Sequence, residues 1–561
     1  MDNKWWQSAV VYQIYPKSFK SAHNSSTGDL AGIISKLDYL KTLGVDVLWL
    51  TPVYASPGAD NGYDISDYYT VDPAYGTLED LRELLGQAHQ RGIKIIMDIV
   101  VNHTSTAHRW FQEALTNRNS KYFDYYIWRE GKSATLPPNN WISKFGGSAW
   151  RYVAEHNLFY LHLFDVTQAD LNWENPELRG EIYQMMRWWL DFGIDGFRLD
   201  VINLISKNQN FPDDTLLTAT DDGRKYYTDG PRIHEYLQEM NREVFSYKEG
   251  IITVGEMSST SIANCIRYTD QQQHELDMVF SFHHLKVDYR AGQKWSLMDY
   301  DFLALKKILS DWQLGMQAGN GWNALFWSNH DQPRALSRFG DDTNYPYQSA
   351  TMLATALHLM RGTPYIYQGE EIGMTNPGFT DISDYRDVES LNAYRLMTEE
   401  WNYSQAEALA ILAQKSRDNA RTLMQWDASE NAGFSSKTPW IGAAANYPKI
   451  NAAAAVADSN SVFYYYQRLI RLRKEYPVIA GGEIRFYLLE HPQLLVYSRH
   501  YDDTALLVVC NFSAQECELI VDHDTSDLRA KVSKILIANF TPEISSNQLV
   551  FPPFGCIAWI S

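Results

Sequence analysis

Eight short apolar segments, each followed by a longer amphipathic stretch, constrain the fold of this chain more than any other feature. The first three are VVYQIYP (10–16), VDVLWLTP (45–52) and IKIIMDIVVNH (93–103). They are apolar almost without alternation, which is typical of parallel strands covered by helices. Five more lie at 193–201, 251–257, 276–282, 323–331 and 363–369. Eight such units predict a closed (β/α)₈ barrel.

The regular alternation is interrupted once and stops before the end of the chain. Residues 104–172 are rich in Trp, Asn, Tyr and Gly and show no clear helix–strand unit. After about 478, LLVYSRHYDDTALLVVCNF indicates two strands joined at an Asp-Asp turn. We therefore predict a barrel at 1–103 and 173–477, an inserted domain at 104–172 and a C-terminal antiparallel β-sandwich at 478–561. One helix is predicted over 29–44, ending at Gly44, and Thr77 is predicted to cap the next.

Charge and composition exclude several classes of function. The net charge of −19 argues against nucleic acid and anionic membrane surfaces as partners. The N-terminus has no apolar signal segment, and no apolar run is long enough to span a bilayer. The four cysteines lack the spacing of metal or redox sites. We therefore expect a reduced cytoplasmic protein without a metal or other cofactor, and the sequence leaves its oligomeric state open.

Three carboxylates stand at or just past the ends of predicted barrel strands: Asp200, Glu256 and Asp331. The carboxyl ends of the strands in such a barrel converge on one pocket. Asp200 and Glu256 belong to neighbouring strands, so their carboxyl groups can lie about 5–5.5 Å apart, as in retaining glycosidases. Arg198 shares a strand face with Asp200 and is expected to keep it ionised.

The motifs DIVVNH (98–103), GFRLD (196–200), GEM (255–257) and NHD (329–331) resemble the four signature regions of the α-amylase family of glycoside hydrolases. QADLNW (168–173) resembles the fifth region of the family. The resemblance covers essentially the whole chain, with 104–172 as the B domain. It implies that Asp200 is the nucleophile, that Glu256 is the general acid/base, and that Asp331 stabilises the transition state.

The same resemblance implies further residues around the sugar that is cleaved off. Asp98 resembles a mainly structural carboxylate. Phe145 and Phe164 resemble aromatic walls, although an ordinary core position fits either residue nearly as well. The other residues expected to bind this sugar are Asp60, Tyr63, His103, Arg198, His330 and Arg417.

Some segments bear on the substrate. DNGYDISDY (60–68) and YRDVESLN (385–392) resemble oligo-1,6-glucosidases and trehalose-6-phosphate hydrolases alike. Val201 resembles the residue of 1,6-cleaving members and weakens a maltase interpretation. SFHHLKVDYRAGQKW (281–295) is similar to trehalose-6-phosphate hydrolases, in which its histidines and lysines are associated with phosphate. The expected cationic cluster is His283, His284, Lys286 and Lys294; the alternative is a solvated loop with chance charges.

The resemblance therefore predicts hydrolysis of a small phosphorylated disaccharide, α,α-trehalose 6-phosphate, to glucose and glucose 6-phosphate. The configuration at the anomeric carbon would be retained. The first alternative is an oligo-1,6-glucosidase that acts on isomaltose-type sugars, and a sugar isomerase is a weaker one. A non-catalytic sugar-binding barrel or scaffold is disfavoured because all three carboxylates are present.

The sequence departs from close relatives at two positions in the family pattern. Where relatives often have a calcium loop, SAHNSSTGD (21–29) carries Ser21, His23 and Ser25, so we expect no calcium there. Leu423 stands where the family usually has proline, and a softer loop is expected.

Overall fold

Eight parallel strands form the centre of the molecule in a computed structural model that describes residues 4–215, 217–218, 221–520, 534–542 and 548–561. The strands are β1 (Val11–Ile14), β2 (Val47–Leu50), β3 (Lys94–Ile99), β4 (Gly196–Leu199), β5 (Ile252–Met257), β6 (Met278–Ser281), β7 (Ala324–Leu325) and β8 (Thr363–Tyr367). Their order in the sheet is β6-β5-β4-β3-β2-β1-β8-β7. A parallel bridge between Val279 and Asn323 joins the two edges, so the sheet closes into the predicted barrel.

The barrel strands are buried on both faces, which explains their continuous apolar sequences. Every residue of β1, β2 and β4 is buried, for example. One face fills the barrel interior, and the other packs against the surrounding helices. β7 is shorter than the predicted strand at 323–331, and its sequence becomes a loop after Leu325. Asp331 is therefore carried by a loop and not by a strand end.

Helices surround the barrel. They include Leu37–Leu43, Leu78–Gln90, Pro176–Phe192, Ile233–Met240, Ile262–Thr269, Phe302–Ala318, Pro346–His358 and Val462–Glu475. Thr77 caps its helix as predicted, in a reciprocal pair with Asp80. The single helix predicted over 29–44 was wrong. It is split into Leu30–Ile34 and Leu37–Leu43, because Lys36 leaves the helical conformation.

The segment at 104–172 folds beside the barrel, between β3 and helix Pro176–Phe192. It contains the helix Arg109–Thr116 and an antiparallel sheet of Trp128–Arg129, Leu158–Leu161 and Trp150–Val153. Its return strand Gln168–Asp170 pairs with His103–Ser105. The buried Lys207 ammonium lies 3.0 Å from Asp170 Oδ1 and 3.0 Å from Asn102 Oδ1, which ties this return strand to the barrel.

Within the described residues, the C-terminal part of the chain forms two antiparallel sheets. The larger has the order Glu483–Tyr487, Leu494–Tyr501, Thr504–Asn511, Cys556–Ile560 and Lys534–Ala538, and the smaller pairs Cys517–Ile520 with Gln548–Phe551. Parts of the predicted domain, 521–533 and 543–547, lie outside the described residues. The buried Arg499 guanidinium donates to Leu359 O at 2.8 Å and joins the larger sheet to the barrel. Among the described helices, none has the length and apolar character needed to cross a bilayer.

Candidate active site

The guanidinium of Arg198 connects the two carboxylates at the mouth of the barrel. Its Nη1 lies 2.6 Å from Asp200 Oδ1, and its Nη2 lies 2.6 Å from Glu256 Oε2. Nη1 also lies 2.5 Å from Asp98 Oδ1. Period-2 alternation on β4 points Arg198 into the barrel, where β3 and β5 supply the carboxylates on either side. The two groups are thus held at adjacent positions by one fixed cation.

The electrostatics of this pair differ from those of exposed carboxylates. Burial raises the pKa of Glu256, and the Arg198 guanidinium offsets only part of that rise. Burial raises the pKa of Asp200 well above its usual range, and Arg198 opposes that rise only in part, so the expectation that Arg198 keeps Asp200 ionised stays a prediction. Two carboxyl groups this close repel each other when both are ionised, so the pair retains a proton more readily than isolated carboxylates do. One group can then act as an acid while the other remains an anion.

Val201 follows Asp200 in a backbone conformation that branched residues rarely adopt. Its φ is 35° and its ψ is 39°, in the left-handed region. This geometry directs its N–H toward Glu256 Oε2, at 2.9 Å. A left-handed branched residue costs on the order of 1–3 kcal/mol. The fold therefore maintains a strained turn that positions the Glu256 carboxylate.

Asp331 lies among cations on the opposite rim. Its Oδ1 is 2.8 Å from Arg421 Nη2 and 3.3 Å from Arg417 Nη1, and its Oδ2 is 3.2 Å from His330 Nε2. Burial alone would raise the pKa of Asp331, but His330 and the two guanidiniums outweigh it and hold that pKa well below its usual range. Asp331 therefore ionises more readily than an exposed aspartate does.

These groups line one small pocket, here called the inner pocket. Its residues are Asp60, Tyr63, His103, Phe145, Phe164, Asp200, Val201, Glu256, Asp331 and Arg417. Arg198 and His330 lie directly behind this wall and are fully buried. The Tyr63 ring stacks on His330 with an interplanar angle of 3°. Arg417 lies 4.9 Å from the centre of the Phe145 ring and bonds Asp60 Oδ1 at 3.2 Å. The structure thus brings together every residue expected around the cleaved sugar.

A wider opening, here called the outer cavity, continues from the inner pocket. The two share Phe145, Phe164, Val201, Asp331 and Arg417. The remaining residues of the outer cavity are Lys144, Ser258, Ser259, Phe282, Leu285, Lys286, Tyr289, Lys294, Gln332 and Glu389. A ligand can therefore place one sugar in the inner pocket and its second half in the outer cavity.

The two lysines predicted to bind phosphate both line the outer cavity, but in different electrostatic states. Lys294 lies 2.6 Å from Glu389 Oε2, so its charge is already paired. Lys286 is exposed to the cavity, and its ammonium has no hydrogen-bond or ion-pair partner within the described residues. Burial in the concave wall, with Arg224 nearby, lowers the pKa of Lys286. Of these two lysines, Lys286 is thus the one whose charge is unpaired within the described residues.

The structure does not bring His283 and His284 into this cavity. His284 Nε2 lies 2.9 Å from Phe326 O, and the ring packs behind the barrel wall. His283 stacks on Trp312 with ring centres 4.4 Å apart. Burial lowers the pKa of each histidine to about 4, so both are uncharged at neutral pH. The predicted four-residue cluster is corrected to its two lysines, because the short helical turn at His283–Leu285 points the histidines away.

Several residues of the site were missed from the sequence. Asp387 holds Arg417 at 2.5 Å and lies 3.4 Å from Arg421. Glu389 pairs with Lys294, and both acids belong to YRDVESLN, a segment whose family resemblance does not distinguish them. Lys144 lines the outer cavity from 104–172, and no motif distinguished it.

The two departures from the family pattern have structural counterparts. Asp29 accepts the N–H groups of Ala22, His23 and Gly32, so backbone donors already occupy its carboxylate oxygens. The absence of calcium from the loop at 21–29 stays a prediction. Leu423 is fully buried and packs with Phe434 and Ile441. The leucine therefore fills a small apolar cluster; the expected softening of the loop stays a prediction.

Comparison with known proteins gives one consistent result over the whole chain. Residues 13–482 match the catalytic domain of α-amylase, and 484–557 match the C-terminal domain of maltogenic amylase. The chain is 56% identical to trehalose-6-phosphate hydrolase of Bacillus subtilis (strain 168), covering 99% of this chain and 98% of that protein. It is 51% identical to oligo-1,6-glucosidase of Parageobacillus thermoglucosidasius, covering 96% of this chain and 95% of that protein.

A solved structure shows the same similarity in three dimensions. The crystal structure of Bacillus licheniformis trehalose-6-phosphate hydrolase superimposes with a TM-score of 0.94 at 57% identity and covers 100% of both chains. The sequence motifs, the closed barrel and the clustered carboxylates agree with these matches. The chain therefore belongs to the α-amylase family of glycoside hydrolases.

Proposed function

We propose that the protein hydrolyses α,α-trehalose 6-phosphate to glucose and glucose 6-phosphate with retention of configuration. The observation that carries this proposal is the uncommitted Lys286 ammonium in the cavity next to the inner pocket. In a chain of net charge −19, a local unpaired cation is a specific means of attracting an anionic ligand. The similarity to proteins named trehalose-6-phosphate hydrolase supports the same substrate.

The proposed chemistry is a double displacement in the inner pocket. Asp200 attacks the anomeric carbon while Glu256 protonates the departing oxygen, and glucose 6-phosphate leaves. Glu256 then takes a proton from water as that water releases glucose from Asp200. Arg198 holds both carboxylates, and Asp331 binds sugar hydroxyls and stabilises positive charge on the ring. No cofactor takes part in these reaction steps.

The phosphate of the substrate would lie in the outer cavity. Lys286 offers charge-assisted hydrogen bonds to a phosphate oxygen, which are stronger than neutral ones. Lys294 would contribute less, because Glu389 already neutralises it. A doubly charged phosphate ester does not cross a bilayer unaided, so the proposal places the protein in the cytoplasm.

An oligo-1,6-glucosidase is the second candidate, and the 51% identity to such an enzyme favours it. Uncharged isomaltose-type sugars would also fit an inner pocket that binds one glucose unit. They would leave Lys286 without a counter-charge, which is why the phosphorylated substrate is preferred.

The experiment compares Lys286→Ala with the unmodified protein on two substrates. For trehalose 6-phosphate, kcat/KM should fall about ten- to a hundredfold, the value of a charge-assisted hydrogen bond. For 4-nitrophenyl α-glucoside, which has no phosphate, kcat/KM should change little. Lys307→Ala is the matched control, because that exposed lysine pairs with Asp311 on an outer helix. Equal losses on both substrates, or no loss on either, would contradict the proposal.

A further inference from the structure

Lys144 forms a second cationic position on the wall of the outer cavity. It lies on 104–172, a different part of the chain from Lys286, and both line the same cavity. We propose that Lys144 is a specificity-determining residue that leaves Asp222 and binds the phosphate of the substrate together with Lys286. This inference rests on the proposed function. It assigns part of the substrate specificity of the protein to the B domain.

The backbone that carries Lys144 is fixed by hydrogen bonds, whereas its ammonium lies near Asp222 and 5.2 Å from the centre of the Tyr227 ring. Lys144 N–H donates to Leu163 O at 2.8 Å, and Phe145 N–H donates to Ser143 Oγ at 3.1 Å. The ammonium lies 3.6 Å from Asp222 Oδ2, which is longer than a direct hydrogen bond. The side chain can therefore turn toward a ligand without any movement of the domain.

Asp222 does not need Lys144 as a partner. Arg224 holds that carboxylate with two parallel bonds, from Nε to Oδ1 at 2.8 Å and from Nη2 to Oδ2 at 2.7 Å. Such bidentate pairing is the stronger arrangement and satisfies the acid on its own. Release of Lys144 would thus leave an intact ion pair behind it.

The charges around the outer cavity leave a net positive region on this wall. Lys294 is paired with Glu389, and Arg417 lies among acids. Near Lys144, by contrast, Asp222 faces two further cations, Arg224 and Lys286. Burial lowers the pKa of Lys144 to about 8; Asp222 opposes this, and both neighbouring cations add to it. A phosphate between Lys144 and Lys286 would relieve that repulsion.

The test is substitution of Lys144 by methionine, which keeps most of the length of the side chain and removes its charge. Lys144→Met should lower kcat/KM for trehalose 6-phosphate about ten- to a hundredfold, mainly through KM. It should leave 4-nitrophenyl α-glucoside hydrolysis nearly unchanged, which also shows that the variant is folded. Lys144→Arg should restore most of the loss. Lys132→Met is the matched control in the same domain, because that lysine pairs with Asp213 at 2.7 Å on the surface.

The pH dependence supplies a readout that a purely structural role would not move. The charged and titratable groups around Lys144 are Asp222, Arg224, Tyr227 and Lys286. As pH rises above about 8, Lys144 loses its proton, so KM for trehalose 6-phosphate should rise. Lys144→Arg should show a smaller rise, since arginine stays charged. Identical pH profiles of KM for the unmodified protein and Lys144→Arg would overturn the inference.

The outcomes separate this inference from the proposed function. If the unmodified protein prefers trehalose 6-phosphate to trehalose and Lys144→Met does not alter that preference, only the role of Lys144 is wrong. If the unmodified protein has no preference for the phosphorylated sugar, both are overturned. Equal loss on both substrates for Lys144→Met would assign Lys144 a structural role and overturn the inference.

Discussion

The inner pocket and the outer cavity share a wall but use charge in opposite ways. In the inner pocket each ionised group has a fixed partner, as with Arg198 between Asp98, Asp200 and Glu256. In the outer cavity Lys286 has no partner within the described residues, and the Lys144 ammonium lies 3.6 Å from Asp222 Oδ2, longer than a direct hydrogen bond. The inner pocket is therefore complete before substrate arrives, whereas the outer cavity is completed by the ligand. Chemistry should depend on the first region and substrate choice on the second.

The largest effect should come from changes in the inner pocket. Asp200→Asn or Glu256→Gln should lower kcat by several orders of magnitude on phosphorylated and neutral substrates alike, because both need the same displacement. Kinetics on both substrates, with a thermal melt to verify folding, would measure this. A folded Asp200→Asn variant with near-normal turnover would refute the assignment. A loss confined to one substrate would break the division between the regions.

The pH profile for a neutral substrate should depend on the inner pocket alone. Burial raises the pKa of Glu256, so its acid form persists toward neutral pH, and activity falls when that proton is lost at higher pH. Activity should also fall at low pH, because the Asp200–Glu256 pair then takes up a second proton and no carboxylate remains to attack. The profile of kcat/KM for 4-nitrophenyl α-glucoside should thus be bell-shaped. Lys286→Ala should leave it unchanged; a shifted profile would mean that the two regions are electrostatically coupled.

The smallest effect should come from the histidines behind the outer cavity. His283→Gln should leave the ratio of trehalose 6-phosphate to 4-nitrophenyl α-glucoside activity unchanged, because this side chain stacks on Trp312 and is uncharged at neutral pH. The ratio of the two kcat/KM values is the measurement. A selective loss on the phosphorylated substrate would show that His283 reaches the ligand after all.

The same two regions explain what the sequence could predict. Residues of the inner pocket follow barrel strands or belong to family motifs, and strand periodicity sets the direction of Arg198 and Asp200. The barrel and most inner-pocket residues were therefore accessible, except that Phe145 and Phe164 fitted an ordinary core position nearly as well. Two local details were not: β7 ends early at Leu325, and the predicted helix at 29–44 breaks at Lys36.

The outer cavity could be predicted only in part, because loops supply its residues. The segment 281–295 was identified as cationic, but no periodicity indicates where a loop side chain points. A short helical turn directs His284 behind the barrel wall and leaves Lys286 facing the cavity. Lys144 approaches from a distant segment without a motif. Pairing between Lys294 and Glu389, which separates an available cation from a neutralised one, requires the three-dimensional structure.

The most direct test of the account compares trehalose 6-phosphate, trehalose and isomaltose as substrates of the unmodified protein under identical conditions. All three present glucose to the inner pocket, and only the first has a phosphate for the outer cavity. The account predicts that kcat/KM for trehalose 6-phosphate exceeds that for trehalose at least about tenfold, with the difference shrinking as salt is added. Equal values for the two trehaloses, or a clear preference for isomaltose, would contradict it.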